Sequence, residues 1–177
     1  PAVTGTSTFP DLKDDWYADA VAWAQEAKVV IGDDKGLFRP DDDVTREEMV
    51  TMLYRFAASQ NMDTTTTGDL SNFTDASSVQ SYATEPMTWA VGNGIILGMG
   101  NNELAPRESA TRAQFAAICA RFDTGKSNGE QTFSDIQDHW AEKYIQRAAE
   151  LGWIKGFEDG TFRPDTYITR AQAMTMI

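Results

Sequence analysis

The heptapeptide "ITRAQAM" at residues 168–174 has two near copies in the same chain, "ATRAQFA" at 110–116 and "VTREEMV" at 44–50. Each places Thr-Arg at the head of an apolar run, and the copies stand about 60 residues apart. Recurrence at a regular interval marks repeated structural units, so the architecture follows from what else repeats around them. Each unit opens with Phe-x-Asp, at Phe9-Pro10-Asp11, Phe73-Thr74-Asp75 and Phe133-Ser134-Asp135. An aromatic follows: Trp16, Trp140 and, if two residues are inserted near Ser77–Ser81, Tyr82. Then come an amphipathic segment, a glycine (Gly32, Gly98, Gly156), a turn, and Thr-Arg five residues after a proline. This order divides the chain into units at 1–56, 73–122 and 133–177. The stretches between, 57–72 and 123–132, are polar, rich in Thr, Ser and Gly, and read as linkers.

Within each unit the apolar spacing predicts helix, loop, helix. Ala20, Val21, Trp23, Ala24 and Ala27 in the first unit, and Tyr144, Ile145, Ala148, Ala149 and Leu151 in the third, follow the three-and-four rhythm of one buried helix face. After the turn the rhythm returns in Met49, Met52, Leu53 and Phe56, in Phe115, Ile118, Cys119 and Phe122, and in Ala173, Met174 and Ile177. The third unit lacks counterparts of Tyr54, Arg55 and Phe56, so its last helix should be short. Trp23, Trp89 and Trp153 fall on apolar faces and read as core. A two-helix unit of about 50 residues is marginal alone, so the three are expected to share one core.

Thr45-x-x-Glu48, Thr111-x-x-Gln114 and Thr169-x-x-Gln172 all fit the capping box, in which Thr accepts from a backbone N–H and the Glu or Gln side chain reaches back. Arginine is unexplained by this. Arg46, Arg112 and Arg170 stand at the first helical position, where the macrodipole disfavours a cation by up to about 1 kcal/mol. A negative partner is expected. It is either an internal carboxylate, with Asp11, Asp75 and Asp135 as candidates, or an anionic ligand held by guanidinium and helix N–H groups together. Alanine at the three arginines separates the options: a ligand role predicts lost binding, an internal ion pair lost stability.

Composition narrows the function classes. A net charge of −12 opposes binding to nucleic acid or to an acidic membrane surface. No apolar stretch approaches the roughly 18–20 residues of a bilayer span, and the opening "PAVTGTSTF" lacks the basic and apolar regions of a signal peptide. The single cysteine, Cys119, lies in a helical apolar pattern and reads as core. With one His (His139) and one Cys there is neither a metal cluster nor a Cys-His nucleophile to assemble, so no metal, cofactor or catalytic residue is assigned. "GDDKGLFRPDDD" at 32–43 has the acidity of a calcium loop, but Lys35 and Phe-Arg-Pro break the alternation of oxygen donors that such loops require. A protein-binding scaffold with purely structural arginines is a further alternative.

Phe-x-Asp, the following aromatic, the turn "DGTFRPD" at 159–165 and "ITRAQ" at 168–172 resemble the S-layer homology (SLH) module, and the resemblance covers nearly the whole chain. It implies a mainly all-α fold in which three helix-loop-helix repeats pack with pseudo-threefold symmetry around a central helix bundle. It also implies a task outside the cell, in the wall or S-layer: holding the rest of a parent surface protein to a secondary cell-wall polysaccharide, commonly one bearing a pyruvate ketal, in grooves between modules. The ketal carboxylate suits a guanidinium fork. On this resemblance Arg46, Arg112 and Arg170 receive the carboxylate. Trp16, Tyr82 and Trp140 face the sugar ring, unless they are core aromatics. Asp11, Asp75 and Asp135 accept sugar hydroxyls, unless they cap the next turn. Gly36 and Gly160 admit the sugar to the backbone or simply permit positive φ, and Arg39 and Arg163 complete the carbohydrate-binding set. The second unit departs from the pattern: in "NNELAPRE" Asn102 replaces the turn glycine and Ala105 the turn arginine. Unequal grooves are therefore expected, with the second weaker or different.

Overall fold

A computed structural model describes residues 6–13, 15–126 and 132–177. Residues 1–5 of the opening stretch and 127–131 of the second expected linker lie outside the described residues. The fold is mainly helical. Among the described residues six α-helices follow one another: α1 (Ala18–Glu26), α2 (Arg46–Ser59), α3 (Thr84–Gly92), α4 (Arg112–Phe122), α5 (Glu142–Glu150) and α6 (Arg170–Met176). Three short 3-10 turns between Leu70 and Ala83 precede α3 and absorb the extra residues of the second module. Among the described residues β-structure is confined to three isolated bridges.

Each module contributes a first helix, a loop and a second helix in the expected order, but the two do not form the main packing pair. Instead α2 packs on α3, α4 on α5 and α6 on α1, so every second helix lies against the first helix of the following module, and the last closes on the first. The backbone repeats this cycle. Val44 N–H donates to Ile168 O at 3.0 Å, Ile168 N–H to Ala110 O at 3.0 Å, and Ala110 N–H to Val44 O at 2.8 Å. Around that ring Arg46, Arg112 and Arg170 donate their own N–H groups to Glu108, Thr166 and Asp42 of a neighbouring module. The free N–H groups that open α2, α4 and α6 are thus satisfied by other modules as well as by their capping boxes, which ties helix formation to assembly.

One core runs through the three modules. Val44, Ala110 and Ile168 at the ring are fully buried, as are Met49, Leu53, Phe115 and Met174 on the second helices. At one end Trp23, Phe56, Trp89, Phe122 and Trp153 form a chain of edge-to-face and tilted contacts at 5.6–6.3 Å between centroids. Trp89 is buried, while Trp23 and Trp153 are half-buried against the core. The polar stretches between modules are more than tethers. Helix α2 continues to Ser59, Gly68 N–H donates to Thr88 O at 2.8 Å, and Trp153 Nε1 donates to Asp123 Oδ2 at 2.7 Å. Phe9 and Phe133 stack near Phe38 and Phe162, and a Cβ on Gly32 would meet the Phe9 ring at 2.8 Å. That close approach accounts for a glycine at this point of the repeat.

Candidate functional site

The Thr-Arg motifs sit where the modules meet. Thr45, Thr111 and Thr169 accept from the backbone N–H three residues on, and Glu48, Gln114 and Gln172 accept in return from the threonine N–H at 2.9, 3.2 and 3.2 Å. Arg46, Arg112 and Arg170 follow as the first helical residues and are buried, with 3–5% exposure. Their guanidinium groups reach neither Asp11, Asp75 nor Asp135. Nε of Arg46, Arg112 and Arg170 donates to the carbonyls of Leu104, Phe162 and Phe38 at 2.8, 2.8 and 2.7 Å. Nη2 of Arg46 and Arg112 reaches Leu97 O at 3.3 Å and Lys155 O at 3.1 Å. Every one of these acceptors belongs to a neighbouring module.

The aspartates hold the same turns from the other side. Asp11 takes the N–H groups of Phe38 and Arg39 at 3.0 and 2.6 Å, Asp75 those of Leu104 and Ala105 at 2.8 and 2.7 Å, and Asp135 those of Phe162 and Arg163 at 2.8 and 2.7 Å. Asp and Arg are therefore joined through a backbone residue: one takes its N–H and the other supplies its C=O with a donor. The residue that follows, Arg39, Ala105 or Arg163, has φ of 59°, 49° or 58°, a left-handed conformation that this double grip sustains. Backbone carbonyls satisfy the arginine donors without cancelling their charge. Burial pulls Arg46 down to about 10, with only partial relief from the charge of Glu108, and also lowers Arg112. Arg170 is lowered by burial too, but its Nη1 meets Glu48 Oε1 at 2.8 Å, a carboxylate that the other two lack.

Among the described residues two grooves open above Arg170 and Arg46, with volumes of about 450 Å³ and about 380 Å³. The first takes Arg170 from the third module, Tyr82 and Gln80 from the second, and residues 29–34, Arg39, Glu48, Thr51, Met52 and Arg55 from the first. The second repeats this one module later: Arg46, then Trp140 and Asp165, then residues 96–99, Gln114, Ala117, Ile118 and Arg121. Each groove has a buried arginine from one module, an aromatic wall from another, and one face of α2 or α4. Tyr82 and Trp140 are 44% and 59% exposed, so neither is a core aromatic. Trp16, at 62% exposure, is equally open and meets Tyr17 edge-on.

Other expected site residues stand apart. Gly36 and Gly160 have φ of 71° and 79° at the tips of their turns, face open space and line neither groove. Arg163 lies over the Phe157 ring at 3.9 Å and pairs with Asp159, whereas Arg39 lines the first groove and pairs there with Asp33, Asp42 and Glu48. The acidic loop 32–43 has its own internal partners: Asp33 Oδ1 accepts from Lys35 and Leu37 N–H, each at 2.9 Å. Among the residues that sequence reasoning missed, two arginines line the grooves and one glutamate supports a wall. Arg55 and Arg121 occupy equivalent places, and the repeated Arg-Phe at 55–56 and 121–122 is the signal that marks them. Glu47, only 1% exposed, accepts from Gln80 N–H at 3.0 Å and from the Tyr82 hydroxyl at 3.3 Å, fixing the wall of the first groove. Its equivalents are Ala113 and Ala171, and that difference was legible.

The S-layer homology domain matches the sequence three times, at residues 8–50, 72–116 and 132–174, each match spanning one Phe-x-Asp and one Thr-Arg. The chain belongs to the S-layer homology family. Curated relatives include Cell surface glycoprotein 1 of Acetivibrio thermocellus, 28% identical over 80% of this chain and 6% of the relative. The Cellulosome-anchoring protein of the same organism is 32% identical over 80% of this chain and 33% of its own length. S-layer protein sap of Bacillus anthracis is 30% identical over 100% of this chain and 22% of the relative. The chain thus spans a third or less of these relatives. Both grooves are composite: no single SLH module supplies the arginine, the aromatic wall and the helix face together.

Proposed function

We propose that this chain anchors a surface protein non-covalently to the bacterial cell wall, by binding a secondary cell-wall polysaccharide in the grooves between its SLH modules. The family and the cell-surface, anchoring and S-layer relatives support anchoring at the wall or S-layer as the task, with no catalytic step. A pyruvate-ketal carboxylate on that polymer is the ligand group that the buried arginines suit. The observation that carries this reading is the composition of the two grooves. In each, a guanidinium withdrawn from water lies beside an exposed aromatic ring, which is the pairing needed to receive an acidic sugar. The charge of −12 disfavours an anionic polymer at long range, but screening acts over about 8 Å at physiological salt, so a local cation governs the contact.

Cosedimentation with purified walls tests the proposal. The chain should pellet with walls carrying the pyruvylated polymer and lose most of that binding once mild acid has removed the ketal. Trp140→Ala, which removes an exposed ring, should weaken pelleting by about tenfold at an unchanged melting temperature. Equal binding to ketal-free walls would exclude the carboxylate as the recognised group. A scaffold whose arginines serve only to join modules would be indifferent to both changes.

A further inference from the structure

We infer that the residue three after the Thr-Arg threonine decides which groove takes the anion: Gln114 leaves the second groove receptive, while Glu48 closes the first with a carboxylate of its own. This inference rests on the groove reading above and ranks the grooves within it. In the first groove Glu48 Oε1 lies 2.8 Å from Arg170 Nη1 and 3.1 Å from Arg39 Nη2, bridging both cations. Three arginines there face three carboxylates, those of Asp33, Asp34 and Glu48. An incoming carboxylate would have to displace Glu48 from two partners and meet its repulsion afterwards.

The second groove has the same frame without that occupant. Gln114 keeps the helix cap through its Oε1, and its Nε2 donates to Met99 Sδ at 3.4 Å, so it places no charge on Arg46. Arg46 donates Nε and Nη2 to carbonyls, and no partner among the described residues takes its Nη1, the atom through which Arg170 meets Glu48. Arg121, one turn beyond Ala117 and Ile118 on α4, adds a second cation from the same helix face, and the only carboxylate in the lining is that of Asp165. Two arginines against one carboxylate make this the cationic groove of a strongly acidic chain. Glu48 therefore stands where the ligand carboxylate would lie in the groove that lacks it. The sequence pattern had pointed the other way, to a weaker second groove, on the strength of Asn102 and Ala105; but the turn arginine missing there is the counterpart of Arg39, which in the first groove helps to hold Glu48 over Arg170.

Exchange of the two residues tests this. Glu48→Gln and Gln114→Glu each install a side chain that already completes the same capping box in another module, so both variants fold. Titration would use a methyl hexopyranoside bearing a pyruvate ketal, followed by the indole N–H signal of Trp140 for the second groove and by the Tyr82 ring signals for the first. In the parent chain Trp140 should shift first. Q114E should weaken that site by about 10- to 100-fold, and E48Q should bring the Tyr82 response to lower ligand concentration. Saturation of Tyr82 before Trp140 in the parent, or undiminished affinity at Trp140 in Q114E, would overturn the ranking while leaving the proposed function intact. If neither signal moves in any variant while the chain still pellets with walls, recognition of the ketal sugar fails, and the ranking fails with it.

Discussion

The ring where the modules meet and the groove walls just above it are built from the same repeat, yet they differ in how strictly it is kept. At the ring, three threonines cap, three arginines grip carbonyls, three aspartates hold turns, and Val44, Ala110 and Ile168 close a cycle of backbone hydrogen bonds. A few ångströms away the equivalents diverge: Glu48 against Gln114, Thr51 against Ala117, Arg39 against Ala105, Tyr82 against Trp140. The ring arginines have carbonyl partners in another module, and the threonines and aspartates hold backbone N–H groups of their own module, so changing any one of them strands backbone groups at the ring. Groove side chains border open space on one side, so they are freer to differ. Arg46 and Arg170 belong to both regions, with Nε committed to the ring while the side chain also lines a groove.

The sharpest way to break this division is to remove a ring arginine where its structural part is greatest. Arg112→Met keeps an apolar stem of similar reach but strands the carbonyls of Phe162 and Lys155 and removes a guanidinium lying 4.5 Å from the Phe162 ring. Unpaired buried acceptors cost about 1–3 kcal/mol each, so a loss of about 3 kcal/mol is expected. For a chain of this length that corresponds to a fall of roughly 6–12 °C in melting temperature, measurable by calorimetry without any ligand. An unchanged melting temperature with lost wall binding would mean that the arginines belong to the groove alone.

Glu47 tests the wall. It is buried and has alanine counterparts in the other modules, and it holds Gln80 and Tyr82 of the second module against the first. Glu47→Ala should cost about 1–2 kcal/mol, and the loosened ring should give Tyr82 averaged signals in NMR spectra while Trp140 keeps its own. Equal disturbance at both aromatics would show that the grooves are not independent walls on a common ring.

These effects also mark how far the sequence could be read. Helix starts were legible because a capping box is a local pattern, complete within four residues, and all three occur as read. The buried faces were legible from spacing alone. Spacing says that a helix has a partner but not which one, so the pairing of α1 with α6, at opposite ends of the chain, was not. The sequence called for a negative partner opposite each arginine, whereas the structure supplies backbone carbonyls, which every residue carries and no pattern advertises, and a carboxylate only at Arg170, from Glu48. For the same reason the aspartates, read as capping the next turn or meeting sugar, could not be traced to N–H groups some 27 residues further on.

Ala105 offers the smallest and most selective test of the division. It lies in the ring's strained turn, but unlike Arg39 and Arg163 it has no long side chain engaged beyond it. Its φ of 49° is one that an L-residue adopts at a cost of about 1–2 kcal/mol and glycine adopts freely. Glycine returns part of that gain as extra freedom in the unfolded chain, roughly 0.4–1 kcal/mol. Ala105→Gly should therefore stabilise the chain by about 0.5–1 kcal/mol, a rise of about 1–4 °C. Both N–H groups held by Asp75 remain, so the turn keeps its shape and Arg46 its carbonyl at Leu104. Binding in the second groove should be unaltered, because Ala105 does not line it. A fall in stability would mean that the Ala105 methyl contributes more by packing than its backbone loses by strain. A change in affinity at constant stability would show that the turn reaches the ligand, and that ring and groove are less separate than their residues suggest.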